Sequence, residues 1–352
     1  MKASTRSKRG TGIRQRVEPG VKLPKNWPQF LKVDSNKVEL FHYLAEQTGL
    51  AQYEGKCVLV TKDSLVLSSS AQITDNISPC THEEADTRLL LHAADCARQG
   101  LKKVLIRTVD TDVVVIAVSV FSRLNLDELW IAFGVGKYFK YIAVHSIVRA
   151  LGPQKSSTLH VFHAFTGCDQ TSAFLGRGKT TAWETWMAYE EVTIAFLSLS
   201  QSPTEQDIVS AMPRLERFVV LMYDRTSTCE NVNKARKVLF TQKGRSIENI
   251  PPTSDALQLH TKRVAYQAGH CWGQCDIPCP VIPSPSEWGW TMSEEQLWKP
   301  LWMTLPEASK ACRELLRCGC RMEKGCKGHC KCRKAEMQCT ALCKCGGDCQ
   351  RD

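Results

Sequence analysis

Ten of the chain's 18 cysteines fall between Cys312 and Cys349, and that crowding constrains the fold more than any other feature. Nine of them, Cys318, Cys320, Cys326, Cys330, Cys332, Cys339, Cys343, Cys345 and Cys349, follow the spacing C-x-C-x5-C-x3-C-x-C-x6-C-x3-C-x-C-x3-C. Three tetrahedral zinc ions need twelve metal–sulfur bonds, and nine thiolates supply them when three sulfurs each bridge two metals. A segment so rich in Lys, Gly and Cys has too little apolar surface for a core, so metal must supply most of its folding free energy. Disulfides are the other use of such residues, but they belong to oxidising compartments. The N-terminal MKASTRSKRGTG has no apolar segment behind its positive charges, so it does not read as a secretory signal, and the balance favours zinc. Cys312 and His329 are spare candidates.

The rest of the chain reads as globular, with 43% hydrophobic and 23% charged residues over 352 positions. No run approaches the roughly 20 uncharged apolar residues of a membrane span, so no membrane is expected as partner. The net charge of +10 favours an anionic partner, and its densest source is Lys2, Arg6, Lys8, Arg9, Arg14 and Arg16. The expected organisation is a basic arm over 1–28, an α/β domain over 29–250, a packed irregular Pro/Trp-rich connector over 251–310, and a zinc-cluster domain over 311–352. Within the connector, His270, Cys271, Cys275 and Cys279 are a weaker metal candidate, because Pro278 and Pro280 break the helix their spacing would need.

Alternation in KCVLVTKDSLVLS (Lys56 to Ser68) predicts two short strands around Lys62-Asp63. Thr81-His82-Glu83-Glu84 fits a capping box and Gly100 a C-cap glycine, so a helix is expected over 82–99 with Leu90, Ala93, Ala94 and Ala97 facing the core. VLIRTV (Val104 to Val109) reads as a buried strand ending at Asp110-Thr111-Asp112, and LWIAFG (Leu129 to Gly134) as a second strand. Strand–helix alternation of this kind predicts an α/β fold with a mostly parallel sheet and flanking helices.

Glu84, Asp86, Asp110, Asp112 and Asp169 all sit at helix starts or strand ends, the edge where open α/β sheets place their sites. Clustered carboxylates are costly unless cations neutralise them, and two divalent ions held this way are a usual nuclease apparatus. The plainer use of the same residues is as dipole-favoured caps and turn formers.

EEADTRLLLHAA (Glu83 to Ala94), TVDTDVV (Thr108 to Val114) and FTGCDQTSAFLGRGKTTAWE (Phe165 to Glu184) resemble, in order and spacing, the motifs of flap-endonuclease and XPG-type PIN-like 5′ nucleases. The resemblance implies a PIN-like domain in which Glu84, Asp86, Asp110, Asp112 and Asp169 hold Mg or Mn. It also implies that Gly176, Arg177, Gly178, Lys179 and Thr180 form a helix-hairpin-helix turn on a DNA phosphate. Members of that family open with a strand that ends in a further ligand, and no such strand precedes residue 56. The expectation is therefore a chain entered partway through a longer protein, with an incomplete and degenerate site. Transposon-derived proteins with a cysteine-rich tail look similar over most of the chain.

The cysteine spacing resembles the tesmin-type CXC repeat, which implies DNA binding through basic side chains in the nucleus. The gaps before Cys326 and Cys349 are each one residue longer than in that pattern, and His329 stands where an aromatic is expected. From Ala311 on, ten Lys and Arg against five Asp and Glu give a formal +5, and three Zn²⁺ with nine thiolates contribute −3. The folded tail would carry only about +2, so its own DNA binding should be weak and salt-dependent. The expected protein binds zinc and DNA; an active metal-dependent nuclease and a zinc-stapled protein-interaction module are the alternatives. Nothing in the sequence specifies an oligomeric state.

Overall fold

The computed structural model describes residues 12–71, 73–241, 249–303, 318–320, 330–334, 339 and 343–345. Its contacts divide the chain into two compact units, Met1–Leu301 and Trp302–Asp352.

In the first unit, residues 12–26 carry no regular structure, and helices begin with α1 (Trp27–Phe30) and α2 (Asp34–Leu50). The described part of the arm is tied down by Asn36 of α2. This fully buried amide donates to the Ile13 and Phe30 carbonyls at 2.7 and 2.9 Å and accepts from Arg14 and the Gln15 N–H. β1 (Leu59–Lys62) and β2 (Leu65–Ser68) form the expected antiparallel hairpin, turned by Asp63 at φ +52°.

α3 (Ala85–Arg98) buries Leu90, Ala93, Ala94 and Ala97 as its spacing requires. Gly100, at φ +90°, ends it in a Schellman motif: its N–H reaches the Ala97 carbonyl and the Leu101 N–H reaches Cys96, both at 3.0 Å. The start differs from expectation. Glu84, not Thr81, is the N-cap residue, and its side chain makes no cap bond. Thr81 gives its backbone N–H to the Pro278 carbonyl and His82 bonds Ile277, so tertiary contacts outcompete the local capping box.

β3 (Lys103–Thr108) leads through α4 (Thr111–Val120) to β4 (Glu128–Phe133), its parallel neighbour, as a crossover connection requires. β5 (Lys140–Ala143) then pairs antiparallel with β4, giving the order β3-β4-β5. The fold is mixed α/β, but the expectation of a mostly parallel sheet is corrected, because one of its two pairings is antiparallel. The cause is local: a tight turn over Gly134–Phe139 reverses the chain where a crossover helix was not available.

α5 (Val144–Phe165) is broken at Gly152, where φ +76° and ψ +169° leave the helical region ahead of Pro153. The helices α6 (Lys179–Ala188), α7 (Val192–Ser198), α8 (Glu205–Tyr223), α9 (Val232–Thr241) and α10 (Ser254–Val264) follow, and an antiparallel pair, β6 (Trp290–Met292) and β7 (Trp298–Pro300), ends the unit. α10 runs directly into a π-helical stretch, Ala265–Trp272. The expectation of an irregular connector from residue 251 is therefore corrected over 254–272. Leu257, Val264, Ala265, Ala268 and Trp272 belong to the same core as Phe165, Phe196 and Phe218. Leu257 and Val264, spaced by a helical seven, carried that signal within a polar sequence.

Candidate metal centres

Two helix starts and one strand end bring the first set of acids together. Asp110 follows β3 and caps α4, its Oδ1 accepting the Asp112 N–H at 2.9 Å, while its own N–H donates to Thr108 Oγ1. This cap turns the chain so that Asp112, in the first turn of α4, lies beside Asp86, in the first turn of α3. One carboxylate oxygen from each of Asp86, Asp110 and Asp112 lies within 4.8 Å of the other two, close enough to share one cation. Three carboxylates at two helix N-termini are favoured by both dipoles, yet they repel one another.

His163, near the end of α5, holds Asp112 in place: its Nε2 lies 2.9 Å from Asp112 Oδ1, and both side chains are largely buried. Beneath it, the Lys179 ammonium donates to the His163 carbonyl, Thr166 Oγ1 and the Gly167 carbonyl at 2.9, 2.9 and 2.7 Å. The two carbonyls lie at and just past the C-terminal end of α5, where intrahelical donors run out. Burial lowers the Lys179 pKa to about 8, against the opposing pull of Cys168 and Asp112. Burial likewise raises the Cys168 thiol, with the Thr171 hydroxyl partly offsetting it.

Glu84 and Asp169 stand outside the group of three. The Glu84 carboxylate accepts from Gln170 Nε2 at 3.4 Å, and from Gln267 Nε2 and Trp272 Nε1 at 3.3 Å. Asp169 is exposed in the loop after α5, next to Gln170. In the turn resembling a phosphate-binding hairpin, Gly176 has φ +69° and Gly178 is the N-cap of α6. Arg177 stacks on the Tyr223 ring at 4.7 Å, Lys179 turns to carbonyls, and Thr180 is exposed.

Cys271 and Cys275 are packed thiols whose pKa burial pushes up to about 12, Cys271 also feeling Glu84 and Glu83. His270 packs edge-on against Trp288 at 4.4 Å, and Cys279 donates to the Pro79 carbonyl. Among the described residues, these four do not form a ligand group.

The second unit contains the cysteine centre. Cys318, Cys330, Cys332 and Cys339 form one group of mutually close sulfurs, and Cys318, Cys339, Cys343 and Cys345 form another. Four sulfurs about 2.3 Å from one zinc stand about 3.8 Å apart. Within these groups the observed separations match: Cys318–Cys339 3.9 Å, Cys330–Cys339 3.9 Å and Cys318–Cys345 3.5 Å, while Cys332 and Cys343, one from each group, lie 3.6 Å apart. All are far beyond the roughly 2.05 Å of a disulfide. Six sulfurs fall into two overlapping groups, with Cys318 and Cys339 in both, which is compatible with bridging thiolates. Cys320 packs half-buried against this cluster, whereas Cys326, Cys349, Cys312 and His329 lie outside the described residues. Burial, then the adjacent Cys343 sulfur, raises the Cys332 pKa, as expected for thiols crowded to receive a cation.

The cysteine centre thus fits zinc, and the acidic centre fits a hard divalent ion. Sequence reasoning missed His163, Gln267 and Trp272. The His160-x-x-His163 spacing was visible, but only the fold turns His163 toward Asp112 and His160 toward the Ser200 carbonyl. No protein-family model, curated protein or solved structure matches the chain. Among the described residues no helix is long and apolar enough to cross a membrane.

Proposed function

We propose that the chain is a zinc-dependent, nuclear DNA-binding protein in which a tesmin-type CXC module is joined to a degenerate PIN-like 5′-nuclease domain. The observation that carries this reading is the sharing of Cys318 and Cys339 between two sulfur tetrads. Bridging thiolates are what a nine-cysteine, three-zinc module needs, and a single-zinc finger does not. The tail contacts phosphate weakly through its Lys and Arg side chains, while the α6 amides after Gly178 add a second phosphate contact in the first unit.

The convergence of Asp86, Asp110 and Asp112 favours a second reading, an active nuclease dependent on Mg or Mn. A divalent ion there would lower the pKa of a bound water and stabilise a leaving oxygen. Asp86, Asp110 and Asp112 would hold it, and His163 would fix the orientation of Asp112. With Glu84 bonded to three neutral donors and Asp169 apart, three carboxylates suit one ion better than two, so poor cleavage is the expected outcome.

The deciding experiment measures affinity of the zinc-loaded full chain for flap and duplex DNA at two salt concentrations, and cleavage with Mg²⁺ or Mn²⁺. Salt-dependent binding without appreciable cleavage is expected. Robust cleavage abolished by Asp110→Ala would establish the nuclease instead, and loss of all salt-dependent binding would leave only a zinc-stapled interaction protein.

A further inference from the structure

We propose that the β4–β5 turn and the outer face of the sheet form a stacking platform for single-stranded nucleic acid. The inference rests on the nucleic-acid reading above and adds a site to it. Three aromatic side chains stand in solvent within four residues: Tyr138 is 73% exposed, Phe139 41% and Tyr141 61%. Leaving such surfaces in water forgoes burial energy, and a contiguous group of them marks an interaction site.

The turn is held rigidly. Arg107 donates to the Ala132, Thr108 and Gly134 carbonyls at 3.0, 2.8 and 2.6 Å, and its guanidinium lies 5.4 Å from the Phe139 ring. Gly134 has φ +84°, and a Cβ there would meet the Tyr138 carbonyl oxygen at 2.6 Å, so the close turn needs glycine. Phe139 and Tyr141 pack edge to face at 5.2 Å, which fixes two ring planes before any ligand arrives.

The turn itself is basic. Lys137 lies 5.1 Å from the Tyr138 ring and no Asp or Glu occurs in the sequence between Glu128 and His145, while Lys140, paired with Phe133, projects from the other face of the sheet. Exposed rings beside a cation are the combination that binds unpaired strands: bases stack on the rings and phosphates meet Lys or Arg. A duplex keeps its base faces covered and has nothing to offer the rings. The location is also apt. Thr108 and Phe133 pair at the ends of β3 and β4, and the Gly134 N–H bonds the Thr108 carbonyl, so the platform leaves the same sheet edge as Asp110.

The test uses the zinc-loaded full chain with labelled oligo-dT and a mixed-sequence duplex, read by anisotropy at two salt concentrations. Tyr138→Ala and Tyr141→Ala should each weaken oligo-dT binding on the order of tenfold, with duplex binding unchanged. Tyr138→Phe, which keeps the ring, should stay near wild type, and Lys137→Ala should flatten the salt slope by roughly 0.7. Phe41→Ala removes a ring 62% exposed on α2 and should change nothing. If Tyr138→Ala and Tyr141→Ala bind oligo-dT like wild type, or Phe41→Ala loses as much as they do, the platform is refuted while DNA binding stands. A chain that binds neither probe refutes the underlying nucleic-acid reading and the platform with it.

Discussion

The two units of this chain solve the same thermodynamic problem with different chemistry. The first closes a large apolar core from Leu90 to Trp288, with a smaller cluster around Val66, Ile77 and Leu91, and in the large one Phe162, Phe165, Phe196 and Phe218 make a chain of ring contacts. Each such ring fully removed from water contributes on the order of 2 kcal/mol, and many together outweigh the chain entropy. In the second unit, the buried cluster among the described residues consists of cysteines alone. Thiols that crowd each other gain little from burial and repel once ionised, a cost that a bound cation would offset. Stability in the first unit is thus distributed over dozens of side chains; in the second, with zinc bound, it would rest on a few metal–sulfur bonds.

Chelation should separate the units most sharply. Removing zinc withdraws binding free energy on the order of 10 kcal/mol from the tail. Its structure is expected to be lost while the melting transition of the first unit stays where it was, as calorimetry with and without chelator would reveal. Within the tail, Cys339→Ser should release more zinc than Cys330→Ser, because Cys339 belongs to both sulfur groups and Cys330 to one; elemental analysis reads the difference. Equal losses would mean that Cys339 does not bridge.

The reciprocal perturbation is Phe218→Ala. Phe218 is fully buried against Phe165 and Phe196, so truncation should destabilise the first unit by about 3–5 kcal/mol in denaturant titrations. Zinc content should not change. A fall in both would show that the units fold as one.

Acid should weaken both units for different reasons. His160 and His260 are buried, and burial depresses each pKa to about 4. Between about 6.5 and 4 the unfolded chain binds protons that the folded unit refuses, so stability falls with pH across that window. His260→Gln should remove part of this slope, and excess zinc should not. In the tail, protons compete with zinc for thiolate, so added zinc should restore structure at the same pH.

The smallest effect concerns Lys179. Its pKa of about 8 is below the ordinary lysine value, so the unfolded chain binds more protons above pH 8 and stability of the first unit should rise from there toward pH 10. Comparing urea midpoints of wild type and Lys179→Met across that range isolates the contribution. A slope unaltered by the substitution would show that Lys179 titrates normally.

Local chemistry was legible in the sequence, and long-range placement was not. The Asp63 hairpin, the β3 and β4 strands, the Gly100 cap and the buried Leu90 stripe follow from spacings of a few residues, where turn geometry and periodicity act directly. The capping box at Thr81 misled because Pro278 took the Thr81 amide, and the β5 reversal had no distinctive signal beyond its glycines. Of the five acids, Asp86, Asp110 and Asp112 meet, while Glu84 accepts from Gln267 and Trp272, 183 and 188 residues further along.

The sequence by itself determined that the tail gathers cysteines at metal-ligand spacing, because ligand spacing is a local property that needs no tertiary contact to be read. It also determined which acids would stand at element ends. Only the tertiary structure decided that His163 would hold Asp112 and that the Phe139 ring would lie over Arg107. Those pairings depend on how helices pack on a sheet, and packing is fixed by the sum of many weak contacts that no short stretch of sequence contains.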